Sequence, residues 1–258
     1  MIDGLTYTEA GTGPRTLLCL HGIGSDASSF HHQVGAFEGW RVVAWDMPGY
    51  GGSEARMNPP DFAHLSERLG AFVEGLGSEV HLLGHSIGGM IALDHALRRP
   101  DQVASLVLVA TTPRFGGRDD SFRDAFLKAR LGALDAGQTM AGMAARTAPH
   151  LVGPDTPAEE IAHIERGLAA VPVETWRGIL RCLVTFDRAG DLGAVTCPAM
   201  AVSGSVDTNA PAATVEKMAA RLPGARYRDM PGTGHMPHQE MPQTFNALLA
   251  AFLEDVTS

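Results

Sequence analysis

Val80-His81-Leu82-Leu83-Gly84-His85-Ser86-Ile87-Gly88-Gly89 begins as an apolar, β-rich run and continues as a small-residue helical pattern, with a serine at the junction. Gly84 to Gly88 fits the pattern GxSxG. A serine on a tight strand-to-helix turn is forced into a strained backbone geometry that small flanking residues permit, and its hydroxyl then projects from the end of the sheet. The amides opening the helix face the same place, where the helix dipole favours developing negative charge. Ser86 is therefore the expected nucleophile. The same letters also suit an inert glycine-rich turn; what favours the reactive reading is the strand before it and the helix from Ile87 to Leu97, ended by Pro100. His85 reads as a packing residue, because neighbouring side chains on a sharp turn diverge.

Outward from this turn, Thr16 to Leu20, Arg41 to Trp45, Ser105 to Ala110, Ala199 to Ser203 and Arg226 to Met230 read as further short strands, each followed by glycine, proline or polar residues. Leu5 to Glu9, then Gly11 to Pro14, reads as a hairpin feeding the strand at Thr16. Phe62 to Leu76 carries apolar residues at helical spacing, and a last helix runs from Pro242 to Asp255. Strands alternating with helices indicate an α/β fold with a mostly parallel sheet. From Pro113 to Gly190 the strand pattern gives way to helices at 122–134, 139–147, 158–169 and 173–184, so the expected division is a core of 1–112 and 191–258 with a helical cap at 113–190.

A serine hydroxyl is too weak an acid to attack an acyl carbon unaided; a histidine must take its proton and a carboxylate must hold that histidine's tautomer. The loops after two late strands offer Asp207, in Gly204-Ser205-Val206-Asp207, and His235, in Pro231-Gly232-Thr233-Gly234-His235. Loops after adjacent parallel strands leave the same sheet edge as Ser86. His238 competes as base, but Gly234 favours His235 by allowing a tighter approach. Asp187 and Asp191 lie near the cap boundary and Asp229 in or just after a strand, which favours Asp207. The early loop His21-Gly22-Ile23-Gly24-Ser25 follows a strand, so the oxyanion donors are expected to be the amides of Ile23 and Ile87, with His21 bracing the loop.

The chain has 258 residues, a length that suits one large α/β domain or two small ones, with 45% hydrophobic and 19% charged residues. Its net charge of -9 lacks the basic surplus of a nucleic-acid surface. Cys19, Cys182 and Cys197 are odd in number and scattered, which fits neither a disulfide framework nor a metal cluster and points to a reducing, cytoplasmic setting. No run reaches the roughly 18 apolar residues of a membrane span. His31 and His32 stand near the early loop, but an adjacent pair converges poorly on one ion and no zinc-ligand spacing accompanies it, so no metal and no cofactor are expected.

Taken in order, His21-Gly22, the Trp45 to Ser53 loop, Ser86, Gly204 to Asp207 and Gly234-His235 resemble the α/β-hydrolase superfamily nearly end to end. The resemblance implies an eight-stranded, mostly parallel sheet with a helical cap, but the first visible strand lies so close to the N-terminus that the outermost strand is expected to be absent or very short. Serine at the turn sets the chain apart from haloalkane dehalogenases and most epoxide hydrolases, which carry aspartate there. Thr185 to Pro211 is similar to enol-lactonases and other hydrolases of aromatic-ring breakdown. Their carbon-carbon bond-cleaving relatives commonly carry asparagine where this chain has His85. The implied activity is hydrolysis of a small-molecule carboxylic ester or lactone through an acyl-enzyme; the alternatives are a carbon-carbon hydrolase and a non-turnover ligand receptor on the same fold. In the cap, Met140, Met143 and Trp176 are pocket candidates, although helical spacing alone favours the cap's own core for the methionines. Arg114, Arg118, Arg130, Arg146 and Arg181 are all able to pair a substrate carboxylate.

Overall fold

The computed structural model describes residues 1–55, 60–77, 79–116 and 121–258. Among them, seven strands form one sheet: β1 (Tyr7–Ala10), β2 (Arg15–Leu20), β3 (Trp40–Trp45), β4 (Val80–His85), β5 (Val103–Val109), β6 (Ala199–Gly204) and β7 (Arg226–Met230), in the order β1-β3-β2-β4-β5-β6-β7. All neighbours are parallel except β1, which runs antiparallel to β3. Successive side chains of a strand face opposite ways, and here both faces are covered. Leu18 and Leu20 of β2 join Val43, Trp45 and Leu82 on one face; Leu17 and Cys19 join Val42, Ala44 and Leu83 on the other.

The first face packs on helices α1 (Phe62–Leu76) and α2 (Ile87–Arg98). Between β5 and β6 the chain forms α3 (Ser121–Asp135), α4 (Met140–Thr147), α5 (Ala158–Ala170) and α6 (Val173–Leu183). After β6 come α7 (Ala212–Ala219), the short α8 (Pro237–Glu240) and α9 (Pro242–Thr257), which covers the second face through Phe245, Leu249, Phe252 and Leu253. The helical insertion starts and ends at one point: the Phe115 amide donates to the Phe186 carbonyl at 2.9 Å, and the Arg188 amide to the Pro113 carbonyl at 2.8 Å. On this pairing we propose residues 113–190 as a cap on a core of 1–112 and 191–258. No helix among the described residues is long and apolar enough to cross a membrane.

One expectation fails at the N-terminal end. β1 and β2 are not a hairpin; both flanks of β2 are taken, by β3 and β4, so β1 crosses over and pairs with the free edge of β3. The eighth, outermost strand is absent among the described residues, in line with the expectation that it be missing or very short. Ahead of β1 the chain folds back at Asp3 (φ 47) into an isolated Ile2–Leu5 bridge, which leaves no extended run to pair.

Leu82 lies in the central strand with no exposed surface, whereas Val173 at the start of α6 is 38% exposed. Leu82→Ala should cost about 3–5 kcal/mol of unfolding free energy and Val173→Ala under about 1 kcal/mol, as read by chemical denaturation.

Candidate active site

Ser86 sits between the last residue of β4 and the first of α2 with φ 54 and ψ -122, a backbone region costly for any residue with a side chain. Neighbouring groups over-determine that geometry. The Ser86 amide donates to the Val109 carbonyl at 2.9 Å, and its carbonyl accepts from the Thr111 hydroxyl at 2.7 Å and the Gly89 amide at 2.9 Å. The first turn of α2 lies so close over the strand end that a Cβ at Gly84 would stand 2.5 Å from the Gly88 carbonyl oxygen. Gly88 is constrained from another side, since a Cβ there would stand 2.1 Å from the Leu20 carbonyl oxygen at the end of β2.

The Ser86 hydroxyl lies 3.1 Å from His235 Nε2, and His235 Nδ1 lies 2.8 Å from Asp207 Oδ2. Asp207 follows β6 and His235 follows β7, so three loops at one sheet edge meet in a single hydrogen-bonded line. An ionised carboxylate only accepts, so Nδ1 carries the proton and Nε2 is free to accept from the serine. Burial raises the Asp207 pKa, but the His235 ring and the amides of Asn209 (2.7 Å) and Ala210 (3.2 Å) outweigh it and hold the carboxyl below the usual carboxylate range.

The rival histidines have other partners. His85 Nε2 donates to the His235 carbonyl at 2.8 Å, and burial, with the His235 ring beside it, lowers its pKa to about 3, so it is a neutral prop beneath the loop. His238 is wholly buried with Nε2 at 3.1 Å from the Ser29 hydroxyl, and burial holds it well below the usual histidine range. Asp229 accepts from the Ser203 hydroxyl, Asp187 pairs with Arg114, and Asp191 with Arg188.

His21 accepts the Met47 amide at Nε2 (3.0 Å) and therefore donates from Nδ1 to the Gly22 carbonyl (2.8 Å), tying the early loop to the one after β3. The Tyr50 hydroxyl donates to the Ile23 carbonyl at 2.9 Å, which anchors the backbone of the early loop. Neither the Ile23 nor the Ile87 amide has an acceptor among the described residues. Such unpaired amides beside a nucleophile are what an oxyanion hole requires.

A cavity of about 350 Å³ opens over Ser86, walled by Ile23 and His235 on the core side and by Phe115, Phe122, Phe126, Leu168, Trp176 and Leu183 on the other. Trp176 is thus a wall residue, and its buried Nε1–H lacks an acceptor among the described residues. Met140 and Met143 are not. They are 7% and 5% exposed because α4 turns its apolar face onto α5, and they fill the inside of the helical layer. The phenylalanines of α3 and its stem take the place expected of them: Phe115 and Phe126 meet edge to face at 4.8 Å. Of the arginines, Arg130 lines the cavity beneath a 5.5 Å contact with the Phe126 ring, and it has no carboxylate partner among the described residues. Burial pushes its pKa down. Arg146 and Arg181 are exposed outside the cavity, and Arg118 lies outside the described residues.

Glu240 was not among the residues singled out from sequence. Its carboxylate accepts from the amides of Gly234 (2.9 Å) and Met236 (3.0 Å), which bracket His235, and from the Gly153 amide (2.6 Å) and Thr156 hydroxyl (3.1 Å) of the helical insertion. The His235 amide itself donates to the Leu151 carbonyl at 2.6 Å. One buried carboxylate thus binds the histidine loop and the insertion together. The only sequence signal was a glutamate five residues after His235.

The chain belongs to the alpha/beta hydrolase family, whose sequence pattern spans residues 17–248. Over 267 residues it is 28% identical to the strigolactone esterase D14 of Arabidopsis thaliana, covering 98% of this chain and 96% of that protein. It is 29% identical over 252 residues to the pimeloyl-acyl-carrier-protein methyl ester esterase of Aeromonas hydrophila, covering 94% and 96%. The enol-lactonase of Burkholderia xenovorans LB400 shares the fold with a TM-score of 0.86 at 23% identity, covering 98% of each chain.

His235→Ala should lower kcat/KM by about 10⁴-fold or more, while His238→Ala keeps turnover per folded molecule. The opposite outcome would exchange their roles. Glu240→Ala should destabilise the fold by at least about 3 kcal/mol in chemical denaturation, because several buried donors lose one shared acceptor.

Proposed function

We propose that this enzyme hydrolyses a small carboxylic ester or lactone through an acyl-enzyme on Ser86. The observation that carries the reading is the line Ser86–His235–Asp207 at 3.1 and 2.8 Å, opening beside two unpaired amides into an apolar cavity. As Ser86 Oγ bonds to the acyl carbon, His235 Nε2 takes its proton, and Asp207 steadies the imidazolium. The carbonyl oxygen, now negative, is held by the amides of Ile23 and Ile87, each contribution being about 3–4 kcal/mol in comparable sites. The carbon-oxygen bond to the alcohol breaks as His235 returns the proton to it. Water then gives a proton to His235 as it attacks the acyl carbon, and His235 returns that proton to Ser86 Oγ as the acyl carbon–Oγ bond breaks, releasing the acid and the free serine.

Phenyl rings on the cavity wall suit an aromatic or other apolar body, and the unpaired Arg130 suits a carboxylate carried at its far end. A cytoplasmic setting belongs to the same reading, since Cys19, Cys182 and Cys197 are all free.

Purified protein should turn over esters or lactones from a broad aryl and acyl panel and be labelled by a fluorophosphonate, with both lost in Ser86→Ala. Absence of turnover and labelling would leave a ligand receptor on this fold; cleavage of a vinylogous diketone with little ester hydrolysis would make it a carbon-carbon hydrolase. In a matched pair of esters differing in a distal carboxylate, Arg130→Gln should raise KM for the anionic member by roughly 10–100-fold and leave the neutral one within about threefold. Equal effects on both would remove Arg130 from substrate recognition.

A further inference from the structure

We propose that His31, His32 and Glu160 form a binding site for a divalent transition-metal ion, zinc being the best fit, that pins helix α5 to the core segment after β2. Their nitrogen and oxygen atoms converge from two distant parts of the chain: His31 Nε2 lies 3.5 Å and His32 Nε2 2.8 Å from Glu160 Oε1, and one ligand atom of each lies within 4.8 Å of the others. The adjacent histidines were expected to diverge. They do not, because His31 ends the short helical turn Ala27–Phe30 and the two rings stack at 3.8 Å with a 40° tilt, so both edges reach the same carboxylate.

The protonation of His31 sharpens the case. Its Nδ1 lies 3.0 Å from the Ser28 carbonyl, which can only accept, so the hydrogen of the neutral ring is on Nδ1. That leaves a bare lone pair on Nε2 facing a carboxylate oxygen, two acceptors that attract only with a positive charge between them. A proton shared with Oε1 would answer for one carboxylate oxygen. The other, Oε2, is buried with no hydrogen-bond partner among the described residues. A metal ion bound through Oε1 supplies that positive charge, and a water it holds can donate to Oε2. An imidazole whose Nδ1–H is held by a backbone carbonyl is also the arrangement that orients a metal-binding histidine.

Two imidazoles and a carboxylate suit Zn²⁺, with Co²⁺, Ni²⁺ and Cu²⁺ as chemical competitors, and leave a fourth tetrahedral position for water. Tetrahedral ligand atoms stand about 3.3 Å apart, so the 3.5 Å pair is in place and the 2.8 Å pair opens by about half an ångström. None of the three residues lines the cavity over Ser86, but Ile164 and Leu168 of the same helix do. The ion would therefore brace one cavity wall from outside and take no part in the chemistry.

The test uses the full chain freed of metal with a chelator. At about 100-fold excess over its Kd, Zn²⁺ should raise Tm by about 5 °C or more. Co²⁺ should develop visible d–d absorption that saturates at one equivalent. Both signals should be lost in Glu160→Gln and in His31→Ala, and kept in His64→Ala, which removes an exposed histidine paired with Asp61. Loss in two different variants, each read by Co²⁺ absorption on protein that unfolds cooperatively without metal, separates lost binding from lost folding. No Tm rise and no absorption in the parent chain, or equal responses in Glu160→Gln, would overturn the site.

Discussion

Everything at this site hangs on one residue held at φ 54. Ser86 adopts a conformation that its own side chain resists, and it stays there because β5 supplies an acceptor for its amide, Thr111 a donor for its carbonyl, and two flanking glycines the room for α2 to close over β4. Strain of this kind costs of order 1–3 kcal/mol and survives only where surrounding structure enforces it. The sheet supplies that enforcement. Its parallel order sends the loops after β4, β6 and β7 out at one edge, and the antiparallel outlier, β1, is kept at the far side where it disturbs none of them.

The second constraint is how the helical insertion communicates with that edge. It does not simply lie over the cavity. Through Glu240 and the Leu151 carbonyl it grips the backbone on both sides of His235, so the position of His235 depends on the helical layer being docked. A second contact is Glu160 of α5, which reaches His31 and His32. The insertion is thus fastened at two places by carboxylates, one beside the chemistry and one away from it.

Much of this was legible in the sequence, for identifiable reasons. α1 and β7 have the bounds expected from periodicity, since Phe62–Leu76 has a clear apolar stripe with Asp61 as cap and Gly77 as stop, and Arg226–Met230 stands between turn signals. The residues now in line with Ser86 were found because each followed a strand at a glycine-rich turn, a local pattern. What local pattern could not carry was long-range pairing. β1 pairs over about 35 residues with β3, Met140 and Met143 are indistinguishable by spacing from wall residues, and Glu240 and Glu160 find partners roughly 80 to 130 positions away. Side-chain direction within the insertion decided which apolar residues face the cavity, and helical periodicity leaves that open where a helix has neighbours on two sides.

The central claim is that three loops and two amides form one catalytic centre around a strained serine. A high-resolution structure of the enzyme inactivated by an alkyl phosphonate tests it most directly. The account predicts phosphorus bonded to Ser86 Oγ, one phosphonyl oxygen within hydrogen-bond distance of the Ile23 and Ile87 amides, and the alkyl group among the phenyl rings of the cavity. Phosphorus on any other residue, or a phosphonyl oxygen turned away from both amides, would contradict it.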